Sequence, residues 1–227
     1  MDQKIANLEG KLIVSCQALP EEPLHSSFIM GRMALAASQA GAVGIRANTV
    51  ADIKEIRNMV DLPIIGIIKK VYDDCPDVYI TPTIAEVDAL TACGVEIIAT
   101  DATRRDRPGG ETIETFFSKV RAKFPDQLFM ADCSNVEEGM EAAALGFDLI
   151  GTTMASYTPY TRGCPLPPFD MIEYLVKNCG KPVVAEGNII TPEHLRHAMD
   201  LGVLTAVVGS AITRPLEITK RFVAVLK

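Results

Sequence analysis

Eight short apolar runs of strand length recur along the whole chain: LIVSCQ, AVGIRA, IIGIIK, EIIATDA, LFMADC, LIGTT, PVVAEG and AVVGSAI. Stretches of helical length and periodicity separate them, as in NVEEGMEAAAL from Asn135 to Leu145. Runs that are apolar on both faces belong to parallel sheets covered by helices. A finer repeat then separates a closed barrel from an open sheet. The second, fourth, sixth and eighth runs follow helices that end in glycine, in SQAGAVGI, TACGVEII, AALGFDLI and MDLGVLTAVV, where a left-handed cap needs a residue without a β-carbon. The third, fifth and seventh are entered through proline, in DLPII, KFPDQLF and GKPVV. Odd and even strands therefore arrive by different routes, which predicts a two-strand, two-helix unit used four times. The expected architecture is α/β, a single (β/α)8 TIM barrel over residues 1–227, a length at which such barrels form one domain. A doubly wound sheet is the competing arrangement, but no GxGxxG follows the first run and no linker or composition break divides the chain.

Composition narrows the partners. The chain is 48% hydrophobic with a mean hydropathy of +0.19, and no window approaches the roughly 20 uninterrupted apolar residues of a membrane span. The opening MDQKIANLEGKLIVSCQ lacks the order of a signal peptide, so a cytoplasmic protein is expected. Net charge is −7 and the basic residues cluster only in TRRDR, Thr103 to Arg107, which argues against nucleic acid. The six cysteines never form CxxC, so neither a zinc site nor a disulfide framework is expected.

In such barrels the chemistry gathers at the C-terminal ends of the strands. The polar residues there are Gln17, Arg46, Lys69, Asp101, Asp132, Thr152 or Thr153, Glu186 and Ser210. Period two puts Lys69 on the face of Ile65 and Ile67, and Lys70 on the other. The same count pairs Glu186 with Val184, Asp132 with Met130 and Arg46 with Gly44. A lysine turned into an apolar barrel mouth is partly desolvated, which lowers its pKa toward the range of a useful base. The alternative is that Lys69 is the cation of a structural ion pair with Asp132 or Glu186.

AEGNIITPEH and VVGSAITRP each place glycine where the backbone must approach something closely, then start a helix. Gly187 and Asn188 on one side, with Gly209, Ser210 and Ala211 on the other, are candidates for a phosphate cradle of backbone amides. Ordinary capping at Thr191, followed by Pro192 and Glu193, explains part of the same pattern. His194 and His197 sit on a helix expected outside the barrel and read as surface, while RRDRPGG after the fourth run is either a solvated face or a lid. ASYTPYTRGCPLPPFD, Ala155 to Asp170, is a long loop expected to cover the site.

Together VSCQAL, GAVGIRAN, PIIGIIK, YITPT, ATDATRRDRP, MADCS, GTTMASYT, VVAEGNIITPE and VVGSAITRP resemble the N-acetylmannosamine-6-phosphate 2-epimerase family, from about Lys11 to Pro215. The resemblance implies a phosphate-binding TIM barrel that interconverts N-acetylmannosamine 6-phosphate and N-acetylglucosamine 6-phosphate in sialic acid and amino-sugar breakdown. It implies Lys69 and Glu186 as catalytic, Gln17, Arg46, Asp132 and Thr153 as substrate-binding, and Gly187, Asn188, Gly209, Ser210 and Ala211 as phosphate-binding. Two departures stand out: Lys70 follows Lys69 where an arginine is usual, and Asn188-Ile189-Ile190 follows Gly187, so backbone amides would carry more of the phosphate binding.

The implied chemistry suits these residues. A proton α to an aldehyde is weakly acidic, so the site needs a base, a partner for the enolate oxygen and a grip on the phosphate. None of this calls for a metal or organic cofactor. A Schiff-base lysine is the rival enzyme reading, separable by borohydride trapping, and a non-catalytic sugar-phosphate sensor is the rival from another class, separable by binding without turnover. The last helix, PLEITKRFVAVLK, is apolar at Leu216, Ile218, Phe222, Val223 and Leu226, more than one stripe needs, so a homodimer is expected.

Overall fold

In the computed structural model, which describes residues 2–226, the eight runs become eight parallel strands. They are β1 (Lys11–Cys16), β2 (Gly44–Asn48), β3 (Ile64–Ile67), β4 (Ile97–Asp101), β5 (Leu128–Asp132), β6 (Leu149–Gly151), β7 (Val183–Glu186) and β8 (Thr205–Val208). Each pairs with its neighbours in chain order, and β1 closes on β8, so the barrel is the (β/α)8 arrangement expected. Between them run α2 (Ser27–Gln39), α3 (Val50–Met59), α4 (Ile84–Ala92), α5 (Ile113–Lys123), α6 (Val136–Leu145), α7 (Phe169–Asn178) and α8 (Pro192–Asp200), with α1 (Gln3–Ala6) before the barrel and α9 (Pro215–Ala224) after it. The first and last residues of the sequence, Met1 and Lys227, lie outside the described residues.

The apolar residues of each strand divide into two cores by parity. Ile13, Ile65, Ile67, Ile97, Ala99, Met130, Leu149, Val184 and Val207 fill the barrel, whereas Ile45, Ile64, Ile98, Phe129, Ile150 and Val183 pack outward beneath the helices. Burial of each of these large aliphatic side chains stabilises the fold by about 1.5–3 kcal/mol. Because Ile65 and Ile67 point inward, the next residue of that parity, Lys69, is carried to the mouth. The floor has a plug that the sequence pattern did not reveal: α1 is short, yet Ile5 and Leu8 join the interior cluster, and the Gly10 N–H donates to the Leu204 carbonyl at 2.8 Å.

The four glycines of the repeat, Gly41, Gly94, Gly146 and Gly202, all adopt positive φ between a helix and the next strand. Gly180 after α7 does so too, at φ 67°, so the odd and even entries differ cleanly only at α3 and α5. Helix α9 is the exception among the long helices. None of its described residues is buried, and Phe222 is 74% exposed.

Candidate active site

A cavity of about 240 Å³ opens at the C-terminal end of the barrel. Its lining takes in Gln17, Arg46, Lys69, Thr153 and Glu186 on one part of the wall, and Gly187, Asn188, Gly209 and Ser210 on another. Nine of the eleven site residues expected from sequence therefore meet in one hollow. Strand parity explains most of this, since Arg46, Thr153 and Glu186 share the inward face with the interior aliphatics below them.

Arg46 organises the charge. Its Nη2 and Nη1 donate to the two carboxylate oxygens of Asp132 at 2.6 and 3.1 Å, and Nη1 also donates to Glu186 Oε2 at 2.7 Å. The Thr153 hydroxyl reaches the same two acids, at 2.7 Å to Asp132 Oδ1 and 3.2 Å to Glu186 Oε2. Burial alone would lower the Arg46 pKa, but Asp132 and then Glu186 outweigh it and hold the guanidinium above its ordinary value. Its Nε is buried with no partner among the described residues. Asp132 does not reach the cavity surface: it is fully buried behind Arg46 and Thr153, whereas the sequence reading had it touching substrate.

Lys69 is not the cation of this cluster. Among the described residues it forms no salt bridge, because the acids that could have paired with it are taken by Arg46. Its amine is instead desolvated at the cavity wall, which, with the positive charges of Arg46 and Arg214, lowers its pKa to about 8 against the opposing pull of Glu186 and Glu22. Glu186 moves the other way. Burial raises it to about 7, aided by the negative Asp132 and resisted by Arg46. Lys70 faces out as parity requires, lying 3.5 Å from Glu86 and over the Tyr72 ring.

The opposite wall is built of backbone. Gly187 and Asn188 have φ of 120° and 54°, turning the chain sharply after β7. A β-carbon on Gly187 would lie 3.3 Å from the Thr152 carbonyl, and one on Gly209 would lie 3.2 Å from Ser15 Cβ. After β8 the N–H groups of Ile212 and Thr213 donate to the Gly209 carbonyl, making one helical turn. Among the described residues no intrachain acceptor is present for the amides of Gly187, Asn188, Ser210 and Ala211. Free amides at the start of a helical turn are a ready anion site. Ala211 belongs to this turn without lining the cavity.

Arg214, which the sequence reading passed over, lines this wall and pairs with Glu22 at 2.9 Å. Its signal was available in AITRP, one turn beyond Gly209. Gln17 lines the cavity with its amide nitrogen donating to the Ser15 hydroxyl at 2.8 Å, which leaves its carbonyl oxygen uncommitted within the described residues. Of the long loop after β6, Tyr157 lines the cavity.

Other candidates fall elsewhere. Asp101 is buried but pairs with Arg105 at 2.6 Å and with Thr103, outside the cavity. The RRDRPGG loop is solvated in part, at Arg104, Asp106, Gly109 and Gly110, but its other arginines are tied down. Arg107 is 2% exposed, donates to the Pro82 and Thr81 carbonyls and to the Thr100 hydroxyl, and stacks on Phe116, while Arg104 pairs with Glu141. Its charges hold the loop to the body of the barrel. His197 and His194 pack edge-on against Phe169 on the outside. All six cysteines are free, and burial pushes the Cys16 thiol up to about 12, an unreactive state.

A closed barrel whose mouth joins an ammonium of lowered pKa, a carboxyl of raised pKa and a wall of free amides is an acid–base enzyme scaffold for a small anionic ligand. The comparisons with known proteins give that class a family. A family model described as "Putative N-acetylmannosamine-6-phosphate epimerase" matches residues 30–227. A Clostridium perfringens protein named "Putative N-acetylmannosamine-6-phosphate 2-epimerase" is 56% identical over 220 residues, covering 97% of this chain and 98% of the relative. A protein of the same name from Enterobacter sp. (strain 638) is 54% identical over 222 residues, covering 97% and 94%. The solved N-acetylmannosamine-6-phosphate 2-epimerase of C. perfringens superposes with a TM-score of 0.93 at 53% identity, covering 99% of this chain and 96% of that one. At 19% identity and a TM-score of 0.61, thiamine phosphate pyrophosphorylase from Pyrococcus furiosus shares the fold. The chain belongs to the N-acetylmannosamine-6-phosphate epimerase family.

Proposed function

We propose that this chain interconverts N-acetylmannosamine 6-phosphate and N-acetylglucosamine 6-phosphate, taking the proton from C2 of the open-chain sugar and returning one to the opposite face. One arrangement carries the reading: Lys69 and Glu186 line the same cavity as the wall of free backbone amides, and burial there moves their pKa values toward each other, to about 8 and about 7. A free lysine and a free glutamate differ by about six units, whereas one unit corresponds to about 1.4 kcal/mol. Passing a proton between them therefore costs little. A reversible epimerase needs this near-degeneracy, because each turnover leaves the acid–base pair with its proton exchanged and both resting forms must be usable. With no direct salt bridge tying them together, Lys69 and Glu186 are free to serve the two faces of C2.

Remote binding supports the reacting centre. The amides of Gly187, Asn188, Ser210 and Ala211, with Arg214 beside them, form the phosphate cradle, and anchoring that group orients C2 against the acid–base pair. Gln17, on the same cavity, can give the second N–H of its amide to the carbonyl or N-acetyl oxygen, while its uncommitted carbonyl oxygen can accept from the N-acetyl N–H or a sugar hydroxyl. Thr153 and Asp132 set Glu186 and Arg46 rather than the sugar.

Proton NMR of the protein with N-acetylmannosamine 6-phosphate in D2O is expected to show N-acetylglucosamine 6-phosphate carrying deuterium at C2. The unphosphorylated sugar should remain protonated at C2 over the same period, since it lacks the group that the amide wall holds. Phosphorylated substrate that stays protonated and unconverted would end the epimerase reading, and equal turnover of both sugars would end the cradle assignment.

We also propose that the protein is a homodimer built on α9, whose Leu216, Phe222 and Val223 are exposed together with Val225 and Leu226 just beyond it. A contiguous apolar face of this kind usually marks a protein interface. Sedimentation equilibrium should give twice the chain mass, and Phe222→Glu should shift it toward the monomer; a wild-type monomer at micromolar concentration would remove the proposal.

A further inference from the structure

We infer that Asn48 and Thr152 are positioning residues for the acid–base pair, each a buried side chain at the end of the preceding strand that locks the backbone of the catalytic residue; this rests on the reading of Lys69 and Glu186 given above. The sheet ladder cannot do this by itself. β3 ends at Ile67, two residues before Lys69, and Glu186 is the last residue of β7. Where the ladder stops, something else must take up the backbone groups, and what takes them up decides how rigidly the side chain is aimed.

At Lys69 the substitute is Asn48, the last residue of β2 and 4% exposed. Its Oδ1 accepts the Lys69 N–H at 2.8 Å. The next peptide is held from the other side, by the Lys70 N–H donating to the Tyr79 carbonyl at 2.9 Å. Both peptide planes that flank the Lys69 α-carbon are thereby fixed, and with them the direction of its β-carbon. At Glu186 one side chain does both jobs. The Thr152 hydroxyl, fully buried immediately after β6, donates to the Glu186 carbonyl at 2.8 Å and accepts the Glu186 N–H at 3.2 Å. Those two groups belong to the two peptide planes on either side of the Glu186 α-carbon, so a single hydroxyl fixes φ and ψ together. In each case a strand end supplies a polar side chain to the catalytic residue of the next strand, β2 to β3 and β6 to β7, positions four strands apart around the ring.

A misplacement of about 1 Å in reacting groups costs on the order of a hundredfold in rate. Asn48→Leu and Thr152→Val keep the number and branching of side-chain heavy atoms and remove the hydrogen bonds; each is expected to lower kcat by roughly 10- to 100-fold, with KM for N-acetylmannosamine 6-phosphate within about threefold in Asn48→Leu, which leaves the amide wall untouched. Thr152→Ser, which keeps the hydroxyl, should recover most of the lost kcat. Thr205→Val is the control: it removes an equally buried hydroxyl, bonded to the Lys11 carbonyl at 2.7 Å at the far end of the barrel, and should weaken the fold while leaving kcat unchanged. The inference fails if Asn48→Leu and Thr152→Val lower kcat no more than Thr205→Val does, or if Thr152→Ser is as impaired as Thr152→Val. Failure of the acid–base reading has a different signature: Lys69→Ala and Glu186→Gln would then still interconvert the two sugar phosphates at the wild-type rate.

Discussion

Lys69→Ala is expected to lower kcat for interconversion by roughly a thousandfold and to abolish exchange with D2O of the C2 hydrogen that faces the lysine, with KM changed far less. The size follows from the role. A positioned base or acid contributes about 10²–10⁴-fold, and burial beside Arg46 and Arg214 brings this amine to about 8, within reach of proton exchange near neutral pH. Because the phosphate wall is made of other residues, the ground-state grip on the sugar phosphate survives the change. Glu186→Gln should fall by a similar factor, and because it keeps the shape of the side chain its loss reports proton transfer rather than packing. A Lys69→Ala protein that interconverts the two sugar phosphates at near the wild-type rate would remove the lysine from the chemistry.

The pH dependence of the wild type sharpens this test. With Glu186 at about 7 and Lys69 at about 8, the pair holds one exchangeable proton only between those values. Below the first both groups are protonated and no base remains; above the second neither is, and no acid remains. A bell-shaped kcat/KM with limbs near pH 7 and pH 8 is the expected profile. The residual activity of Glu186→Gln should lose the acid limb, and that of Lys69→Ala the alkaline one.

Those groups were legible in the sequence because period two is a strict rule for strands. Counting inward from Ile65 and Ile67 reaches Lys69, and counting from Val184 reaches Glu186, without any coordinate. The glycine punctuation likewise announced the barrel, since Gly41, Gly94, Gly146 and Gly202 had no other reason to recur at helix ends. What the pattern could not give was pairing across the ring. Arg46, Asp132 and Glu186 come from β2, β5 and β7, and only the closed sheet decides that the guanidinium takes both acids and leaves Lys69 without one. The same gap hid Arg107, whose burial depends on carbonyls from the β3–β4 connection, and Ile5 and Leu8, whose use as a floor plug depends on the barrel being open below them. Asn48 and Thr152 looked like ordinary polar strand ends for that reason: their partners lie on the next strand.

The Arg46 cluster carries the second large expectation. Arg46→Met retains much of the side-chain volume and removes the charge, leaving Asp132 and Glu186 buried near each other without their shared cation. Breaking a buried pair in this way costs about 3–5 kcal/mol, which for a chain of this length lowers Tm by on the order of 10 °C. The loss should depend on pH, with a definite sign. Once the guanidinium is gone, Glu186, already raised to about 7 by burial, loses the cation that resists the shift, so its contribution to stability is intact in acid and disappears as pH rises through the raised value. The deficit relative to wild type should therefore be small near pH 5 and largest near pH 8, measured by thermal denaturation in matched buffers. Wild type itself carries part of this slope, because Glu186 already titrates at about 7, so the difference between the two proteins is the quantity to follow. Adding Asp132→Asn to Arg46→Met should restore much of the stability at pH 8 by removing one of the two stranded charges, yet it should restore no activity. A deficit that is the same at pH 5 and pH 8 would mean that Arg46 matters for packing alone. Recovery of the fold without recovery of turnover would instead mean that a buried cluster of this cost is kept because it holds Glu186 and tunes Lys69.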